Sequence, residues 1–136
     1  MLHHTLLIAA LLATALLFGG MLLFAGSFAA FAFKALPPVD ARQLIRAAFP
    51  PFYAFVILAA TLAALLTLAL DAPSALALAL IALTTFPTRQ NLMPAINRAT
   101  DAGQTRRFQL LHGLSVLVTL AHIGIAGLVL LRLAAQ

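Results

Sequence analysis

FQLLHGLSVLVTLAHIGIAGLVLL, Phe108 to Leu131, is a run of 24 residues without a formal charge. As a helix it is long enough to cross a bilayer, which takes about 20 apolar residues. It also carries four polar side chains: His112, Ser115, Thr119 and His122. At about 100° per residue these fall within roughly 80° of one another, on one stripe. Polar side chains at membrane depth face other helices or a wet cavity rather than lipid. The stripe therefore predicts partner helices, which the rest of the chain should supply.

Composition points the same way. Of the 136 residues, 64% are hydrophobic and 8% charged, with a mean hydropathy of +1.10. A soluble domain carries about 25% charged residues, so this chain cannot clothe itself in polar surface and its natural solvent is lipid. Residues 1–136 make one domain. The net charge of +5 comes from scattered Lys and Arg without a basic-aromatic patch, which reads as membrane topology and not as nucleic-acid binding. Without cysteine there are no disulfides and no thiolate chemistry. The start, MLHHTLL, lacks the basic n-region of a signal peptide and is expected to stay in the mature protein.

The expected fold is all-α: a polytopic membrane protein, a bundle of four transmembrane helices over about 5–33, 51–70, 73–93 and 106–132. In the first, Ala15, Gly19, Gly26 and Ala30 share a face, with Ser27 beside them. Small residues let membrane helices approach closely, so this face is expected to pack, with Gly20 or Ser27 open to a ligand as the alternative. Pro37-Pro38 stops the helix. Asp40 and Gln43 then match a helix-start box. Leu44, Ile45, Ala48 and Phe49 lie opposite Arg42, Gln43 and Arg46, which predicts a short amphipathic helix in the interface between helices 1 and 2. Pro50-Pro51 opens the second helix, with Tyr53 at the membrane boundary. Asp71-Ala72-Pro73-Ser74 is a turn in which Asp71 or Ser74 can cap. Ser74 to Phe86 is too short to span, so the third helix should run on through a kink at Pro87 into TRQNLM. A polar connection broken by Pro94 and Gly103 leads to the fourth helix, with Gly113, Gly124 and Gly127 as close-packing points.

Four spans put the first and third loops on one side. They hold seven of the eight Lys and Arg: Lys34, Arg42, Arg46, Arg89, Arg98, Arg106 and Arg107. The positive-inside rule places these in the cytoplasm. The expected location is the cell inner (plasma) membrane, multi-pass, with both termini on the non-cytoplasmic side.

Several segments, from about Gly19 to Thr119, resemble the transmembrane protein 205-like family of small four-helix membrane proteins. They are GGMLLFAGSFAAFAF leading to LPP, AFPPFY, RQNLMPAINRA and RRFQLLHGLSVLVTL, in this order and spacing. The chain departs from that pattern in having Val118-Thr119 where an Asn is usual. The resemblance implies export or vesicular handling of a small cation, since the eukaryotic relatives are linked with resistance to platinum drugs. It supplies no catalytic residues.

On this topology Ser27, Tyr53, Arg89, Asn91, His112 and Ser115 come to one level in the cytoplasmic third and form the candidate ligand-binding set. His112 can take a proton near neutral pH, and Arg89 offers a fixed cation. The alternative is that His112 hydrogen-bonds a neighbour and only joins helices. His112 and His122 are about 15 Å apart along the helix, too far to share one metal ion, so no cofactor is expected. Nothing resembles a nucleophile–base pair or a nucleotide fingerprint, and no enzyme is expected. The expected function is non-enzymatic binding or transport of a small molecule or cation, with the bilayer as partner and a homo-oligomer forming any path. The alternatives are a structural or assembly subunit of a larger membrane complex, or a haem- or metal-binding redox protein.

Overall fold

The computed structural model describes all 136 residues, Met1 to Gln136, and every regular element is helical. Helix α1, Leu2–Leu23, widens into a five-residue π turn, Phe24–Phe28, and continues as α2, Ala29–Ala35. Leu36 is extended (φ −127°, ψ 154°), the conformation that a following proline imposes. Next come α3, Pro38–Thr67, and α4, Ala72–Pro87. A second π turn, Thr88–Leu92, leads into α5, Met93–Asp101, and α6 spans Thr105–Ala134. Gly103, at φ +65°, ends α5. The Gly103 and Gln104 N–H groups return to the Thr100 and Ala99 carbonyls, the Schellman arrangement, which needs a left-handed residue there.

Leu2–Ala35, Pro38–Thr67 and Thr105–Ala134 are each long and apolar enough to cross a membrane. α4 has 16 residues, about 24 Å, but its backbone stays helical through the π turn into α5. These rods close into a ring. α1 packs on α3 and α6, and α4 closes the opposite side against the same two.

Three expectations need correcting. The interfacial helix between helices 1 and 2 is not separate, because α3 runs unbroken through Pro50 and Pro51. Each proline removes an N–H, leaving the Arg46 and Ala47 carbonyls without their usual donors. Aromatic contacts brace the junction instead: Phe24 stacks on Phe52 with centroids 3.9 Å apart and meets Phe49 edge-on at 5.3 Å. Likewise, Pro94 does not break the third connection. It is the second residue of α5, directly after the π turn, and the helical backbone runs on past it.

The third correction concerns the small face of the first helix. Ala15, Gly19, Gly26 and Ala30 point away from the bundle, and a Cβ added at Gly19 or Gly26 would meet nothing within 4 Å. α1 turns Ala10, Thr14, Leu17 and Met21 inward instead, against a face of α3 made of Ala59, Ala60 and Ala63. Lipid gives helices no water to exclude, so dispersion contact decides the packing. Large side chains set against an alanine face make more contact than two small faces would. The close approaches fall elsewhere, at Gly20 under the Phe55 ring and Gly127 under the Phe18 ring, whereas Gly113 and Gly124 meet nothing.

An ion pair ties each end. Arg46 Nη2 lies 2.8 Å from Asp101 Oδ1, joining α3 to the end of α5. At the other end Arg132 Nε donates to Asp71 Oδ2 at 3.0 Å, and the Ser74 hydroxyl donates to the same carboxylate. That carboxylate is held below the usual carboxylate range, first by Ser74 and then by Arg132. A depressed folded-state pKa contributes stability above the unfolded value, lost as pH falls through the folded one. The melting temperature should therefore drop below about pH 4 in the wild type. The drop should be shallower in Asp71→Asn, and parallel acid limbs in the two melting profiles would refute this role.

Candidate functional site

A narrow cavity lies where the helices are least regular. Its lining comes from Met21 on α1, Phe52, Tyr53 and Val56 on α3, Thr85 and Thr88 at the second π turn, and Val118, Thr119 and His122 on α6. Met21 is the third residue before the first π turn, and Phe52 directly follows the Pro50-Pro51 pair. π turns make up well under 1% of residues in folded proteins and recur at functional sites. Two five-residue π turns here flank one cavity. Extra residues in a turn break the regular spacing of side chains, so neighbouring helices cannot interdigitate fully at that level. The space of about 10 Å³ is near the least that one water molecule needs.

The polar groups follow from their helices. Buried Thr85 and half-buried Thr119 bond back to the carbonyl one turn earlier, Thr85 to Ile81 at 2.7 Å and Thr119 to Ser115 at 3.0 Å. Their hydroxyl hydrogens are used, so towards the cavity these side chains can only accept. Thr84 Oγ1 donates to the Leu80 carbonyl at 2.6 Å and lies 2.8 Å from His122 Nε2. A hydroxyl has one hydrogen. With that hydrogen on Leu80, Nε2–H donates to Thr84 and the neutral imidazole keeps its lone pair on Nδ1. The Tyr53 hydroxyl on α3 meets Ser115 on α6 across the middle of the ring of helices. The site thus holds one phenol, several hydroxyl acceptors and an imidazole. No carboxylate joins them, since Asp40, Asp71 and Asp101 all sit near helix ends or turns.

The structure divides the set expected from sequence. Tyr53 and Ser115 are buried and brought together, 4% and 8% exposed. His112 is exposed, its ring stacked on Phe108 with centroids 5.4 Å apart. Ser27 is exposed and donates to the Leu23 carbonyl at 2.7 Å. Asn91 is exposed, and half-buried Arg89 does not line the cavity. His122, and not His112, lines the cavity, beside Thr85, Thr88 and Thr119, with Thr84 bonded to its ring. Antiparallel register was the signal available in the sequence. A short turn after the second helix and a polar connection before the fourth set Thr84 level with His122. No three of the His and Asp side chains come together as a metal-ligand group.

Residues 12–105 match the model of a domain of unknown function, DUF4149. The chain belongs to the DUF4149 family. The matched span takes in the two π turns, Tyr53 and the threonines of α4, and stops at the start of α6. His122 and Ser115 thus lie outside the part of the chain that defines DUF4149. No curated protein and no solved structure matches the chain.

Proposed function

We propose that this chain is a non-enzymatic membrane protein with four spans that binds a small, uncharged polar molecule in its bundle and passes it across the inner membrane. The observation that carries the reading is the His122–Thr84 and Tyr53–Ser115 cluster around a cavity flanked by two π turns. Irregular backbone at membrane depth is tolerated where protein buries it or where it lines a cavity. A carboxylate-free lining favours a neutral ligand over the cation that a likeness to the transmembrane protein 205-like family implies. Anything larger than water requires the cavity to widen. Pro87 and the π turn beside it put the weakest part of the α4 rod at that point.

In this reading the fourth span is α4 with its π turn, about 31 Å in length. Seven cationic residues gather at the loop ends, while Arg132 at the opposite end is neutralised by Asp71. That asymmetry supports a cytoplasmic side for the loops and an external side for both termini. The chain has no cysteine, so Gln104→Cys introduces a single reporter. It should react only from the cytoplasmic side, and labelling of intact cells from outside would overturn the orientation.

Binding is tested by melting curves of detergent-purified protein with acetamide or imidazole as neutral probes and ammonium or choline as cationic ones. A neutral probe should raise the melting temperature of the wild type and not of His122→Leu. Stabilisation by the cations alone, or equal stabilisation of both proteins, would overturn the reading. A structural or assembly role is the second reading. The outward-facing Ala15, Gly19 and Gly26 support it, being suited to close contact with another membrane helix.

A further inference from the structure

Arg89 stands apart from the other charges near the membrane. It lies in the second π turn, half-buried, and its Nε is buried without a hydrogen-bond partner. Neither ion pair of the chain includes it: the carboxylates of Asp101 and Asp71 go to Arg46 and Arg132, and Asp40, the third carboxylate, forms no ion pair. Guanidinium stays protonated at any physiological pH. A permanent cation held partly out of water calls for a counter-charge, and none comes from this chain. The adjoining surface of α4 indicates its source. Leu76, Leu80, Leu83 and Phe86, 62%, 47%, 67% and 57% exposed, form an apolar track along the outward side of the helix. The track ends at exposed Gln90 and Asn91, beside Arg89. An apolar track closed by amides and an unpaired guanidinium complements a lipid: acyl chain along the helix, phosphate at the end. The buried Nε is closed to such a group, so the phosphate meets the two Nη groups, which make no bond within the chain and whose N–H donors fit two phosphate oxygens.

We propose that Arg89 binds the headgroup phosphate of an anionic phospholipid at the cytoplasmic boundary, with Gln90 and Asn91 flanking it. This site is distinct from the inner cavity. It rests on the membrane-spanning reading, which the Gln104 labelling tests separately.

The experiment is native mass spectrometry of detergent-purified protein incubated with phosphatidylglycerol or phosphatidylcholine. The wild type should retain phosphatidylglycerol in preference to phosphatidylcholine. Arg89→Gln should retain about fivefold less, the equivalent of ~1 kcal/mol for one basic residue near an anionic surface. The Arg106→Gln, Arg107→Gln double variant should retain it as the wild type does. Arg89→Lys keeps the charge and loses the fork, so it should fall between wild type and Arg89→Gln, and it carries the test if the glutamine variant does not fold. Inorganic phosphate at equal concentration should not displace the lipid. Equal retention of both lipids, unchanged retention in Arg89→Gln, an equal loss in the double variant, or displacement by phosphate would each overturn the proposal.

Discussion

Gly20→Leu should lower the stability of the bundle by about 1–3 kcal/mol, the usual cost of forcing extra methylenes into a packed contact. A Cβ at this position would lie 2.6 Å and 2.7 Å from two atoms of the Phe55 ring. Such separations are well inside contact distance, so the ring must move or the helices must part. Phe55 packs against the core, next to Val56 and close to the cavity. Gly20→Ala should show an intermediate loss, because tilting the end of a ring can make room for one methyl group. Gly19→Leu and Gly26→Leu should be nearly silent, since a Cβ at either position meets nothing within 4 Å. Melting curves of the four variants in one detergent decide the matter. Gly19→Leu proving as harmful as Gly20→Leu would mean that the small stripe is the packed face and that α1 is rotated from its place here.

His122→Leu should abolish the response to a neutral probe while changing fold stability by less than ~1 kcal/mol. Hydrogen bonds between membrane helices average ~0.6 kcal/mol. Thr84 keeps its bond to the Leu80 carbonyl at 2.6 Å after the imidazole is gone, so no buried donor is orphaned. Leucine also fills most of the vacated space. His122→Ala does not, and the hole it leaves should cost about 2 kcal/mol or more. The two variants therefore separate lost chemistry from lost packing. His112→Gln, on the exposed ring stacked against Phe108, should keep both stability and probe response. If His112→Gln removed the response and His122→Leu kept it, the site would be at the other histidine and the cavity would be no more than a packing defect.

The closeness of Tyr53 and Ser115 was legible in the sequence because both positions follow from helix ends and topology. Tyr53 begins the apolar part of its helix, Ser115 lies two turns into the uncharged run from Phe108, and both helices run in the same direction from the same end of the bundle, which brings such positions level. His112 and His122 could not be told apart in that way. They sit on one 80° stripe by helical periodicity, yet only one is buried. Which part of a stripe is covered depends on where the neighbouring helix crosses it, and that crossing is a property of the bundle. Arg89 shows the same limit. Its charge and depth are plain in the sequence, whereas its lack of a partner appears only once Arg46 is seen to hold Asp101 and Arg132 to hold Asp71.

Read without the tertiary structure, the chain already discloses a helical class suited to lipid. An uncharged run long enough to span, scarce charge and prolines between apolar stretches leave a helical membrane protein as the stable outcome, because lipid satisfies no free backbone group. The side of α1 that packs was decided only by the tertiary structure, since in lipid large and small faces are equally solvated and dispersion contact with the alanine face of α3 selects between them. The run of α3 through Pro50-Pro51 was decided there too, by the Phe24 ring that grips the junction from the first π turn. So was the cavity, because local sequence sets a helix and its π turn, while the gap that such a turn leaves exists only against the neighbours that fail to fill it.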